Sequence, residues 1–184
     1  MALRGFIVAV AAGCGCAFLS LVGAGQPVAD TQAAKDAVSK ELDDLHDAAA
    51  KADEARYFAH FAKDAVFLGT DATERWTTTE FHAWAKPYFA KGTAWTYASH
   101  RREVFISQAG DAAWFDEDLE NAKLGACRGS GVLVKEGGRW LVTQYNLSLP
   151  VPNELALKVV DMIKNPEKKP GEKAGEKPGE KSGK

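Results

Sequence analysis

The chain has 184 residues, 46% of them hydrophobic, with 23 Lys+Arg against 25 Asp+Glu. That composition excludes a wholly disordered polymer, and at roughly 100–200 residues per domain it excludes two large domains. The net charge is −2, yet the last 20 residues hold six Lys against four Glu and the first 25 hold one Arg and no acid. The middle is therefore acidic, which excludes a dedicated nucleic-acid binder built on a basic face.

The leader comes first. Arg4 precedes an uncharged apolar run, Phe6–Val22, and the small residues Gly23, Ala24 and Gly25 follow it. Charged start, apolar middle and small-residue exit are the order of a secretory signal peptide, here residues 1–25. Export to the periplasm or the medium is expected. An uncleaved anchor is one alternative, because about 20 apolar residues just span a bilayer. Lipidation at Cys14, behind Ala11-Ala12-Gly13, is another. A membrane partner is expected only in those two cases. Cys14 and Cys16 leave with a cleaved leader, so Cys127 stands alone. The mature chain then has no internal disulfide and no Cys-x-x-Cys zinc site.

The folded region is expected over residues 26–164. Ala34, Val38, Leu42, Leu45 and Ala49 recur at steps of three and four, one apolar stripe on a helix of about 20 residues. Asp30 or Thr31 is placed to cap it. A short helix follows Asp53 and carries Tyr57, Phe58 and Phe61. Residues 64–69 read as a strand. Thr77-x-x-Glu80 is a capping box that opens a third helix with Phe81, Trp84, Tyr88 and Phe89. Pro87 should kink or shorten that helix, and Gly92 should end it. The period then changes to two. Residues 100–107, 112–119, 126–135 and 139–148 read as four strands, with Trp95–Tyr97 as an early start to the first. The short breaks between them imply antiparallel hairpins. Asn153 is placed to cap a last helix with Leu155, Val159 and Ile163. Residues 165–184 repeat Gly-Glu-Lys every four residues with no apolar side chain beyond Ala174, and such a tail cannot offset its ordering entropy. Helices first and strands later make an α+β domain, with helices on one face of a curved antiparallel sheet.

These segments resemble a known family. AKDAVFLGTDATERWT is similar to the opening strand and loop of the NTF2-like superfamily, and TEFHAWAKPYFAKGTAWTY to its third helix and exit. GDAAWFDEDL and CRGSGVLVKEGGRWLVTQYNLSLPVPNE resemble the strands of its SnoaL-like subgroup. The resemblance covers roughly residues 30–160. It implies a cystatin-like α+β cone, often a homodimer through the sheet, in a family that includes polyketide cyclases, ketosteroid isomerase and dehydratases. Fold alone does not choose among them.

Alternation assigns candidate site residues. The resemblance aligns Trp140, Val142, Gln144 and Asn146 with strand positions that face the cone, and relatives carry His where this chain has Gln144 and Asn146. Amides can hold a ligand but do not shuttle protons near neutral pH. The opposite set, Leu141, Thr143, Tyr145 and Leu147, suits a dimer interface. Glu117 is in phase with Ala113 and Phe115; if interior, burial raises its pKa, and an Arg beside it, Arg128 being the candidate, makes a polar anchor instead. Tyr57, Phe61, Trp76, Trp84, Tyr88 and Phe115 are candidate lining rings, and His100 a candidate facing the cone. Asp71 and Glu74 lie in the loop near which relatives open their pocket. His46, His60, His82 and His100 have no metal-ligand spacing, and no cofactor motif is present. The expected function is binding of a small, mostly apolar ligand in the cone. An isomerase, cyclase or dehydratase using Glu117 or Asp71 as base and Tyr57 or His100 as donor is the second reading. A scaffold or dimerisation module with a filled cone is the third.

Overall fold

The structure is a computed structural model that describes residues 28–92 and 94–166. The expected signal peptide and the expected disordered tail past Pro166 lie outside the described residues.

The apolar stripe forms α1, Val28–Ala50, with Val38, Leu42, Leu45, Ala48 and Ala49 buried. The helix begins ahead of the expected caps, so Asp30 and Thr31 fall inside its first turns. Asp53 caps α2, Glu54–Phe58, and its carboxylate accepts the Arg56 N–H at 3.1 Å. Phe61 belongs not to this helix but to strand β1, Phe61–Leu68. A three-residue strand β2, Arg75–Thr77, follows. The capping box starts α3, Thr78–Ala90: the Glu80 N–H donates to the Thr77 hydroxyl, and the Glu80 carboxylate takes the Thr77 N–H at 2.9 Å. The helix runs through Pro87 for three more residues before Gly92, with φ +67°, turns the chain away.

Strands β3, Ala98–Ile106, β4, Ala112–Asn121, β5, Gly125–Glu136, and β6, Arg139–Ser148, follow as antiparallel neighbours. Trp95–Tyr97 stay outside β3 as a loop. The sheet order is β2-β1-β6-β5-β4-β3, and the β1–β6 pair is parallel, the one pair among the described strands that departs from the expected antiparallel pattern. The curved, unclosed sheet wraps one core: α1 packs on β3 and β6, and α3 on β1 and β2.

Two irregularities decide which side chains face that core. Between β5 and β6 the register slips, so that Leu133 pairs with Val142 and Val132 with Gln144, leaving Thr143 as the extra residue. An extra residue reverses the alternation beyond it. Trp140 and Val142 are interior, but past Thr143 the interior residues are Tyr145 and Leu147, and Gln144 and Asn146 turn outward. A second slip leaves His100 unpaired on β3 and exposed.

Gly129 and Gly131 sit opposite Glu117 and Phe115 on β4 and opposite Leu147 and Tyr145 on β6. A Cβ on Gly129 would lie 2.4 Å from the Tyr145 hydroxyl and 2.8 Å from the Glu117 carboxylate. Glycine here is what lets these two side chains meet across β5. The outward side of β5 therefore carries Arg128, exposed and away from Glu117.

The last helix, α4, Asn153–Lys164, has Pro152 and not Asn153 at its cap position and buries no residue. Leu157 is 84% and Ile163 73% exposed.

Candidate functional site

Helices α1 to α3 and the inner sheet face enclose a cavity of about 540 Å³. Its aromatic lining comes from Tyr57 on α2, Phe67 on β1, Phe81, Trp84 and Tyr88 on α3, Trp95 and Tyr97 on the loop before β3, and Tyr145 on β6. Leu45, Leu124 and Leu147 add aliphatic surface, and Thr70, Glu74, Asn121 and Lys123 supply polar atoms. Several rings share an orientation. Tyr145 and Phe67 lie 3° from parallel, Phe67 and Phe81 11°, Phe81 and Trp84 20°, and Phe81 and Trp95 28°. Tyr57 stands edge-on to Trp95 at 82°. Burial pushes the Tyr57 hydroxyl far above the usual phenol range, against a smaller opposite pull from Trp95. That hydroxyl stays protonated.

His46 brings a polar group to this lining from α1. Its Nε2 lies 2.9 Å from Oε1 of Glu117, a side chain that is 0% exposed. Tyr145 donates its hydroxyl to the same oxygen at 2.9 Å. On Oε2, Arg102 places Nε at 2.9 Å and Nη2 at 2.8 Å, with the Nε–H aligned for the hydrogen bond. Arg102 Nη1 then donates to the Ser39 carbonyl at 2.9 Å and to Asp43 at 2.8 Å, which ties β3 to α1.

Burial pushes the Glu117 carboxyl up, but the His46 hydrogen bond and charge, followed by Arg102, outweigh it and bring it down to about 2. Glu117 is thus an ionised, fully engaged anchor. Its charge, with burial acting first, lifts the Tyr145 hydroxyl well above the usual phenol range. A carboxylate holds no proton, so the hydrogen in the His46–Glu117 bond sits on Nε2. The remaining ring nitrogen, Nδ1, makes no hydrogen bond among the described residues. In a neutral ring it accepts a hydrogen bond from a group in the cavity, and in the imidazolium it donates one.

Of the residues singled out in the sequence, Tyr57, Trp84 and Tyr88 line the cavity, and Glu74 does so from its loop. Phe61 and Phe115 are core, and Trp76 stacks behind Phe81 and Trp84. Glu117 lies one layer out, behind His46 and Tyr145. The arginine beside it is Arg102, not Arg128. Gln144, Asn146, Arg128 and His100 are outside the cavity, for the reasons of register given above. Asp71 accepts the N–H and hydroxyl of Thr73 at 2.8 and 2.6 Å, within its own turn; these bonds hold its carboxyl below the usual range. His46, Tyr97 and Tyr145 went unrecognised as site residues. His46 stands four residues after Leu42 and three before Ala49, a polar residue on the buried stripe, and that placement was its signal. Among the described residues no three His, Cys, Asp or Glu side chains converge as a metal site.

A family model described as the SnoaL-like domain matches residues 38–152. The chain belongs to the SnoaL-like family. No curated protein matches it in sequence. Solved structures similar to this SnoaL-like chain share its fold at low identity. An NTF2-like protein of unknown function from Pseudomonas putida is 17% identical, with a TM-score of 0.57 over 67% of this chain and 92% of that one. A protein with a cystatin-like fold from Nostoc punctiforme is 14% identical, with a TM-score of 0.52 over 63% and 90%. A protein from Streptomyces avermitilis, provisionally named a dehydratase of the NTF2-like family, is 11% identical, with a TM-score of 0.56 over 66% and 99%.

Proposed function

We propose that this SnoaL-like chain is an exported protein that binds one small, mostly apolar molecule in its cone, and that it works as a homodimer joined through the outer sheet faces. The cavity carries the binding reading. Its volume of about 540 Å³ falls in the range of small-molecule sites, and aromatic walls with a few convergent polar groups are what such sites are built from. Export rests on the order of residues 1–25. The dimer rests on the outer sheet face, where Trp114, 49% exposed, stacks on Phe105 with Val132 and Leu141 on the strands beyond. Tyr145 and Leu147, which the sequence assigned to that face, belong to the cavity instead.

Native mass spectrometry of the protein purified from the exported fraction of its own host tests all three elements. The expected result is a chain lacking the leader, at twice its monomer mass, carrying an added mass of a few hundred daltons that is lost on denaturation. A full-length mass overturns cleavage and a monomer mass overturns the dimer. A protein that carries no added mass, and takes none up from an organic extract of the host, overturns the binding reading.

A further inference from the structure

We propose that α4 docks this protein on a lipid surface rich in anionic headgroups, with the helix lying flat along it. The proposal stands apart from the binding reading of the cone and needs no leader.

Exposure is the first observation. α4 buries no residue, and no described helix is long and apolar enough to cross a membrane. Leu155, Ala156, Val159, Val160, Met162 and Ile163 nevertheless share one side of it. At 3.6 residues per turn they fill a single arc of about 160°. Leu155, Val160, Met162 and Ile163 are exposed, and Ala156 and Val159 are half-buried. Leu149 and Val151, which lead into the helix, are exposed as well. A contiguous apolar row left in water marks a contact surface, and a broad apolar face on a short helix is how interfacial helices are built.

Charge placement chooses the occupant. Lys158 and Lys164 each lie about 40° beyond an edge of the arc, one on either side, while Glu154 and Asp161 lie on the far side of the helix. On a bilayer this order lets each Lys lay its stem along the apolar boundary and raise its ammonium among the headgroups. The two carboxylates then face water, away from lipid phosphates. A second copy fits less well, because an antiparallel pairing along the Leu155, Val159 and Met162 seam sets Lys158 beside the same residue of the other helix. Residues 167–184 do not cover the arc either, since they hold no apolar side chain beyond Ala174. They do hold six Lys against four Glu, and Lys168 and Lys169 follow the helix closely in sequence. Basic residues next to an amphipathic helix draw it to anionic lipid.

The test is flotation of the protein, in the form its host exports, with phosphatidylcholine vesicles that do or do not contain phosphatidylglycerol. The expected result is binding tighter by about tenfold on the anionic vesicles, and weaker as salt is added. Val160→Glu with Ile163→Glu, both on the arc, is expected to lower that affinity by about tenfold or more. Leu157→Glu, on the polar side and 84% exposed, is expected to leave it within about twofold. Because α4 buries no residue, these variants should melt with the unaltered protein. Lys158→Glu with Lys164→Glu alters no apolar side chain and should abolish the preference for anionic vesicles. No binding to anionic vesicles overturns the proposal. So does binding that survives the arc substitutions, as a retained leader would give, an equal loss in Leu157→Glu, or an anionic preference that outlasts the lysines. A protein that ignores vesicles, and whose native mass halves on the arc substitutions, overturns it in favour of a second copy.

Discussion

Glu117→Ala is expected to remove about 3–5 kcal/mol of stability, the cost of stripping one partner from a buried ion pair. The substitution leaves the Arg102 guanidinium, the His46 ring and the Tyr145 hydroxyl without the acceptor that all three share. For a domain of ordinary stability, about 5–15 kcal/mol in all, that is a large fraction. Glu117→Gln keeps the shape and isolates the charge. The folded carboxyl is depressed from 4.5 to about 2. A depressed carboxyl contributes stability that is complete above its unfolded value and is lost as pH falls through the folded one. The contribution is on the order of 3 kcal/mol and disappears between about pH 4.5 and pH 2. Melting temperatures of the unaltered protein and of Glu117→Gln should therefore lie well apart at pH 6 and converge toward pH 2. Parallel curves over that range would contradict the assignment of Glu117 as an ionised anchor.

Phe81→Ala is expected to cost about 3–5 kcal/mol as well, by a different route. Phe81 is almost fully buried and touches rings from every side: Phe67 at 4.0 Å, Phe58 at 5.6 Å, Trp76 and Trp95 at 5.8 Å, Trp84 at 6.0 Å. Rings locked in mutual stacking cannot collapse far into the space it leaves. The lost area adds to a persistent void. Because Phe81 also forms part of the cavity wall, the void joins the cavity and widens the slot. A melting temperature lowered by roughly 10–20 °C is expected in a thermal scan. A drop of only a few degrees would mean that the cluster repacks, and that the parallel ring arrangement is not a rigid property of the fold.

The two predictions concern the same side chains that decide how far the sequence could be read. The capping box at Thr77 and Glu80, the stripe on α1 and the Glu-Gly-Gly turn between β5 and β6 are local signals, and local physics settles them without the rest of the chain. The α+β cone follows once those elements are ordered. The inner surface of β6 was not legible in the same way. Alternation carried from Trp140 runs correctly through Val142 and then fails, because Thr143 is an extra residue. Nothing in Thr-Gln-Tyr-Asn marks a bulge, which is set by how β5 and β6 pair across the sheet. The same holds at His100. Arg128 was read as the partner of Glu117 because it lies on the adjoining strand. Gly129 and Gly131 carried the better clue: two glycines at alternate positions mark the side where large groups must pass, so Arg128 points the other way. The partner of Glu117 comes from β3 and its imidazole from α1, and contacts between distant segments leave no trace in spacing.

The central claim is that a small, mostly apolar molecule enters the cone and lies against its aromatic walls. The chain has five tryptophans, and their placement supplies both reporters and controls. Trp84 and Trp95 line the cavity, Trp114 lies on the outer sheet face, and Trp140 is in the core outside the cavity lining. The measurement is a ¹H–¹⁵N spectrum of the indole N–H groups of the full chain, recorded while 2-naphthol is added. The account predicts saturable shifts of the Trp84 and Trp95 signals while those of Trp114 and Trp140 stay in place. Shifts confined to Trp114, or no shift at Trp84 and Trp95, would contradict it.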